Sequence, residues 1–141
     1  MDILKLILVS SLMLLVNNYA SADFPDKLKQ RYAPAIIQPH HININAPIIA
    51  EEPEFVPIQI SSIQKPVIDS TVTEISFYLN HKLNTPVATY KFNATTLAED
   101  LKFRMRMRGG ENTLYTIARL SDGSVVGGTK TIRAVYRYYE F

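Results

Sequence analysis

The chain has 141 residues, of which 47% are hydrophobic and 20% are charged, values typical of one globular domain. Its net charge of +2 is too small to indicate nucleic-acid binding. None of these residues is a cysteine, which excludes disulfides, thiolate metal sites and cysteine nucleophiles among them. The fold must therefore be stabilised by its hydrophobic core.

Residues 1–22 predict a secretory signal peptide. Lys5 gives a basic start, residues 6–16 are largely apolar, and residues 20–22 are small, as signal peptidase requires. As a helix the apolar run would extend only about 16 Å, well short of a hydrocarbon core of about 30 Å. A cleaved signal is thus favoured over a membrane span. Because an exported chain without cysteine suits the bacterial periplasm, we expect a periplasmic protein that begins at Asp23 and has no membrane association.

Residues 23–40 predict a flexible leader, because three prolines interrupt them, with one or two helical turns after Pro25. The pair His40-His41 raises the question of a metal site. Adjacent residues of a strand point to opposite faces and no third ligand lies nearby, so a solvated strand entrance is favoured. We accordingly expect the folded domain over residues 41–141.

Period-two alternation and enrichment in β-branched and aromatic residues predict the strands of this domain. Turn-forming residues separate the segments at intervals near ten residues, and no long helical pattern occurs. Pro57 lacks a backbone donor, so its strand is expected to be at an edge or bulged there. The pattern predicts an all-β, immunoglobulin-like sandwich of about seven strands, at residues 42–46, 56–60, 75–79, 87–92, 101–108, 113–120 and 129–139.

The segment 101–108 shows the alternation most clearly. Its apolar residues are predicted to face the core and its cations the solvent: Leu101, Phe103, Met105 and Met107 alternate with Lys102, Arg104, Arg106 and Arg108. Gly109-Gly110 ends this pattern before residues 113–120 resume it, which predicts an antiparallel pair. Asp122-Gly123 predicts the next hairpin turn.

Two surfaces are candidates for binding. The four cations Lys102, Arg104, Arg106 and Arg108 would attract an anion or an acidic partner, but a solvated strand face that deters edge pairing is the favoured explanation, because alternation alone accounts for the pattern. The aromatic tail would either extend the last strand or dock onto a partner through Tyr138, Tyr139 and Phe141.

No catalytic, cofactor or metal site is expected. Glu51, Glu52 and Glu54 form an acidic corner, but without a glycine-punctuated ligand loop a solvated turn is favoured over calcium or acid/base chemistry. The sequence offers no nucleophile paired with a base, no metal set and no phosphate loop, so an enzyme is not predicted.

Three separated motifs resemble the SoxY family, the sulfur-carrier subunit of the periplasmic thiosulfate-oxidising system. They are ININAPIIAEEPEFVPIQI, EISFYLNHKLNTPVATYKF with its Asn-x-Pro-x-Ala core, and RMRMRGGENTLYTIARLSDGS, which together cover about residues 42–132. Their order and spacing carry the resemblance. It implies an immunoglobulin-like sandwich, export to the periplasm and a heterodimer with a SoxZ-like subunit, with contacts to other sulfur-oxidation proteins.

In that family a C-terminal Gly-Gly-Cys-Gly-Gly arm carries sulfur on its cysteine, which needs thiolate chemistry and a flexible arm. Here the sequence ends at residues 137–141 without such an arm, and the internal pair Gly127-Gly128 has no cysteine. We therefore expect a non-covalent binding or partner subunit of sulfur-compound oxidation. The alternatives are a degenerate or frameshifted carrier without activity and a periplasmic immunoglobulin-like interaction module.

Overall fold

The computed structural model describes residues 24–93, 98 and 101–136. One short helix, α1 (Asp26–Tyr32), precedes all of the strands in this part of the chain. The strands are β1 (Ile37–Gln38), β2 (Ile42–Asn45), β3 (Ile49–Ala50), β4 (Val56–Ile63), β5 (Val72–Leu79), β6 (Ala88–Lys91), β7 (Lys102–Met105), β8 (Gly110–Leu120) and β9 (Val125–Ala134).

The strands form two facing sheets. The larger sheet has the order β1-β9-β8-β5-β6, with β3 also paired to β9, and the smaller sheet has the order β2-β4-β7. The predicted all-β, immunoglobulin-like sandwich is confirmed, and the seven predicted strands correspond to β2 and β4 to β9. The sequence did not reveal β1 and β3, because a two-residue strand is too short for alternation to show.

The main core lies between the two sheets. In β4 the apolar residues alternate with exposed ones, so that Ile58 and Ile60 are buried against the larger sheet. Phe77 of β5 and Leu114 of β8 face them from that sheet and are completely buried. Burial of each such side chain contributes about 1.5–3 kcal/mol to the stability of the fold. The alternation in sequence therefore stabilises the sandwich, because it places these side chains in the core.

A second apolar cluster joins α1 to the outer face of the larger sheet. Leu28 and Tyr32 of the helix are buried together with Phe24, against Tyr78 and Ile117 of the sheet. Seven residues are too few for an isolated helix to be stable, so α1 depends on this packing. The described residues of the predicted leader are therefore part of the packed domain, and the expected boundary at residue 41 is corrected. No helix of the described chain is long and apolar enough to span a bilayer.

The predicted pairing of residues 101–108 with 113–120 is wrong. β7 pairs with β4 in the smaller sheet, whereas β8 pairs with β5 and β9 in the larger one. Gly110, with φ of 103°, lies where the chain crosses between the sheets, and the Asn112 side chain stabilises the crossing by donating to the carbonyl of Arg108 at 2.8 Å. Strands from opposite sheets bury their apolar faces in the same core, so alternation could not distinguish them.

The predicted hairpin turn at Asp122-Gly123 is confirmed between β8 and β9. Gly123 adopts φ of 90°, which favours glycine. The Ser124 hydroxyl donates to the Asp122 carboxylate at 2.7 Å, and this hydrogen bond lowers the pKa of Asp122 below its usual value.

Gly127-Gly128 has a packing role in β9. A Cβ at Gly127 would collide with the Phe24 ring, and a Cβ at Gly128 would collide with the carbonyl oxygen of Ile42. The two glycines therefore allow the helix cluster to approach one face of β9 and strand β2 to approach the other. In the described chain this pair is part of a strand, not a flexible arm.

Thr116 provides a test of the core. Its hydroxyl is fully buried, and no residue that the structure describes accepts or donates a hydrogen bond there. Burying an unpaired hydroxyl costs about 1–3 kcal/mol. Thr116→Val should therefore raise the free energy of unfolding by about 1 kcal/mol, measured by urea denaturation, whereas Thr131→Val at an exposed site of β9 should leave it unchanged. A loss of stability for Thr116→Val would show that the hydroxyl is satisfied.

Candidate functional site

The outer face of the smaller sheet places polar side chains from three strands in one row. Asn45 of β2 is the register partner of Gln59 of β4, and Gln59 is the partner of Lys102 of β7. The inward positions of these strands are filled by core residues, so the three side chains face outward. Direct cross-strand partners have Cβ atoms about 4.5–5.5 Å apart, which brings two amides and an ammonium group within reach of one ligand.

Arg104 extends this row beside an opening in the sheet. It is the register partner of Pro57, while the partners of β2 on β4 begin only at Gln59. At Pro57 the strand is therefore paired on the β7 side alone. The predicted edge position of this strand is wrong, because β4 lies in the middle of its sheet, and Pro57 is accommodated where β2 no longer pairs with β4. The opening is a cleft of 570 Å³, bounded on its other side by Pro47.

The cleft presents hydrogen-bond donors without a competing carboxylate. Lys102 and Arg104 are exposed, and with Asn45 and Gln59 they supply the polar side chains of its lining. Across the described chain none of the four makes a side-chain hydrogen bond or an ion pair. The described lining contains no Asp or Glu. Such a surface attracts anions and has unused donors with which to bind them.

Arg104 also borders a second, contiguous cleft of 650 Å³. This one has a different character, because Ile49 and Phe55 are 59% and 57% exposed and Glu51 and Glu52 lie beside them. The acidic corner predicted from the sequence is thus an exposed loop before β4.

The structure divides the predicted basic surface. Lys102 and Arg104 line the cleft, whereas Arg106 and Arg108 follow the end of β7 and lie outside its lining. The pKa of His81 is lowered, first by partial desolvation and then by the positive charges of Arg108 and Lys82. The charge of Arg108 therefore acts on His81, in the loop after β5.

The predicted docking tail, Tyr138, Tyr139 and Phe141, lies outside the described residues. Tyr136, the last described residue, is 53% exposed, and its ring packs over Gly109, where a Cβ would meet it at 2.8 Å.

Sequence reasoning missed Asn45 and Gln59 as site residues. Alternation had already placed both opposite the core face, but it could not show that β2, β4 and β7 are neighbours. Without that strand order, nothing links two amides to a basic segment more than forty residues later in the chain.

One aromatic cluster fixes the position of β7. The Phe103 ring lies 4.7 Å from the Phe77 ring and 5.4 Å from the Tyr90 ring, measured between centroids. These contacts hold β7 against β5 and β6 of the larger sheet, and because Phe103 points inward its neighbours Lys102 and Arg104 point outward.

Fold and site together define an immunoglobulin-like sandwich with a basic surface cleft. Residues 29–136 match the model of the family "Sulfur oxidation protein SoxY", so the chain belongs to the SoxY family. It is therefore a protein related to sulfur oxidation, and the family resemblance seen in the sequence is confirmed.

Solved structures add only the fold. The superoxide reductase (neelaredoxin) of Ignicoccus hospitalis and a single-residue variant of it are 17% and 16% identical to this chain. For both, the TM-score is 0.54, with 68% of this chain and 81% of theirs covered. Fibronectin(III)-like modules of Clostridium thermocellum CbhA are 13% identical at a TM-score of 0.45, covering 67% of this chain and 98% of theirs. No curated protein matches the sequence.

The two faces of β7 predict opposite mutational effects. Phe103→Asp should lower the free energy of unfolding by about 3 kcal/mol or more, because it removes ring contacts and places a carboxylate among apolar groups. Arg104→Asp should change it by less than about 1 kcal/mol, since this side chain is exposed. Thermal and urea melts of both variants measure the difference. Greater damage from the Arg104 change would reverse the assignment of faces.

Proposed function

We propose that this protein is a non-covalent binding subunit of a periplasmic thiosulfate-oxidation system and forms a heterodimer with a SoxZ-like partner. Membership of the SoxY family supports a role in sulfur oxidation. The observation that carries the proposal is that none of the 141 residues is a cysteine. No thiolate among them can form and release a bond to sulfur, which is the step a carrier must perform.

Hydroxyl groups do not replace the thiol. Serine, threonine and tyrosine oxygens lack the reversible exchange that thiolates undergo with sulfur compounds. The pair Gly127-Gly128 is no substitute for an arm either, because both residues are fixed in β9 between Phe24 and Ile42. A partner would therefore bind the surface of the folded sandwich.

Periplasmic location is part of the proposal. It is supported by the signal-peptide pattern of residues 1–22 and by the lack of cysteine in a chain with that pattern. Phe24, the second residue after the expected cleavage site, is buried in the helix cluster. Cleavage there would leave the buried Phe24 and Leu28 available for the helix cluster.

Mass spectrometry of the exported protein tests the proposal. After incubation with thiosulfate and the partner enzymes of a thiosulfate-oxidising system, the protein should gain no covalent sulfur, because adduct formation requires a thiolate. Its intact mass should also correspond to a chain that begins at Asp23. A sulfur-containing mass shift on the native chain, or retention of residues 1–22, would contradict the corresponding part of the proposal.

A gain-of-function variant provides the positive control. Replacing residues 137–141 with Gly-Gly-Cys-Gly-Gly should produce an adduct if the sandwich still pairs with a SoxZ-like subunit, since the partner enzymes can accept the two electrons released when thiol and thiosulfate join. The matched variant Gly-Gly-Ser-Gly-Gly should stay unmodified. An unmodified cysteine variant would show that the partner surface is lost as well.

A further inference from the structure

We propose that the cleft between β2, β4 and β7 binds a divalent tetrahedral oxyanion of the size of sulfate or thiosulfate, without a covalent bond. The donors are Lys102 and Arg104, assisted by the amides of Asn45 and Gln59. The choice of a sulfur oxyanion rests on the proposed function, whereas the anion site rests on the arrangement of these four side chains.

The register makes the donors converge. Lys102 and Arg104 are two residues apart on one strand face, about 6.6 Å along the strand. Gln59 lies directly opposite Lys102, and Asn45 directly opposite Gln59. Long, flexible ammonium and guanidinium groups span such a separation, so both can contact one ion above Gln59.

The shape and charge of the cleft favour an anion bound between Lys102 and Arg104. Pro57 stands opposite Arg104 without a strand of β2 beyond it, which leaves the cleft open beside the guanidinium group. Glu51 and Glu52 line the neighbouring cleft and not this one, although the two clefts share Arg104. A guanidinium group binds two oxygens of an oxyanion at once, and an ammonium group adds a second charge.

The arrangement differs from that of a basic strand that is only solvated. On such a strand, all four cations of residues 102–108 would be equally exposed and none would share a cleft with other donors. Here Lys102 and Arg104 share the cleft with two amides that have no other partner in the described chain, while Arg106 and Arg108 lie outside it. Arg106→Gln is therefore a matched control that removes one exposed charge from the same segment without touching the cleft.

Titration of the ¹⁵N-labelled mature protein with sodium thiosulfate tests the assignment, with sodium chloride holding ionic strength constant. The side-chain amide signals of Asn45 and Gln59 should shift and saturate, with a dissociation constant on the order of millimolar, as two exposed charge-assisted contacts allow. Sulfate should produce the same pattern. Lys102→Gln and Arg104→Gln should each weaken binding roughly fivefold or more, and Gln59→Leu should weaken it without changing the net charge.

Three results would overturn the site. The first is shifts that do not saturate or that chloride reproduces, which would indicate general screening. The second is an Arg106→Gln variant that weakens binding as much as Arg104→Gln. The third is a hexaglutamate peptide that binds the cleft more tightly than thiosulfate, which would make it a surface for acidic protein segments. The titration contains no partner subunit, so its outcome is independent of heterodimer formation.

Discussion

The packing of Phe103 against the larger sheet is the contact on which the rest of the site depends. Its ring meets Phe77 and Tyr90 edge to face or tilted, and this fixes the edge strand of the smaller sheet at a defined distance from β5 and β6. Since strand side chains alternate, an inward Phe103 makes Lys102 and Arg104 outward. The same residue thus contributes to stability and sets the direction of the two cations that define the cleft.

Much of this architecture could be predicted from sequence. Alternation gave the seven longer strands, the buried and basic faces of residues 101–108 and the turn at Gly123, because these depend on local period and turn chemistry. It could not give the pairing of β7, since both sheets bury apolar residues in one core. It also missed the packing of α1, where the dominant contacts, such as Tyr32 with Tyr78, join residues far apart in the chain. The cleft followed only from strand order, which no local pattern encodes.

A sulfur carrier combines two properties, a surface for recognition and a thiol for chemistry. This chain belongs to the SoxY family but has no cysteine among these residues, so here the two properties are separated. A sandwich provides recognition surfaces, and a thiol provides chemistry. In this chain the surfaces are present: a basic cleft whose donors have no partner among the described residues and, next to it, an exposed apolar patch that includes Ile49 and Phe55. Such surfaces support binding, and neither requires the chain to form a bond to its ligand. The proposed role as a non-covalent subunit follows from that separation.

Pairing is the central claim, and native mass spectrometry measures it most directly. The mature protein would be co-expressed with a SoxZ-like subunit of the same organism, purified from the periplasmic fraction and examined at micromolar concentration. The account predicts a one-to-one heterodimer that persists when Arg106 is changed to Gln. Recovery of two separate monomers, with both proteins folded by circular dichroism, would contradict it.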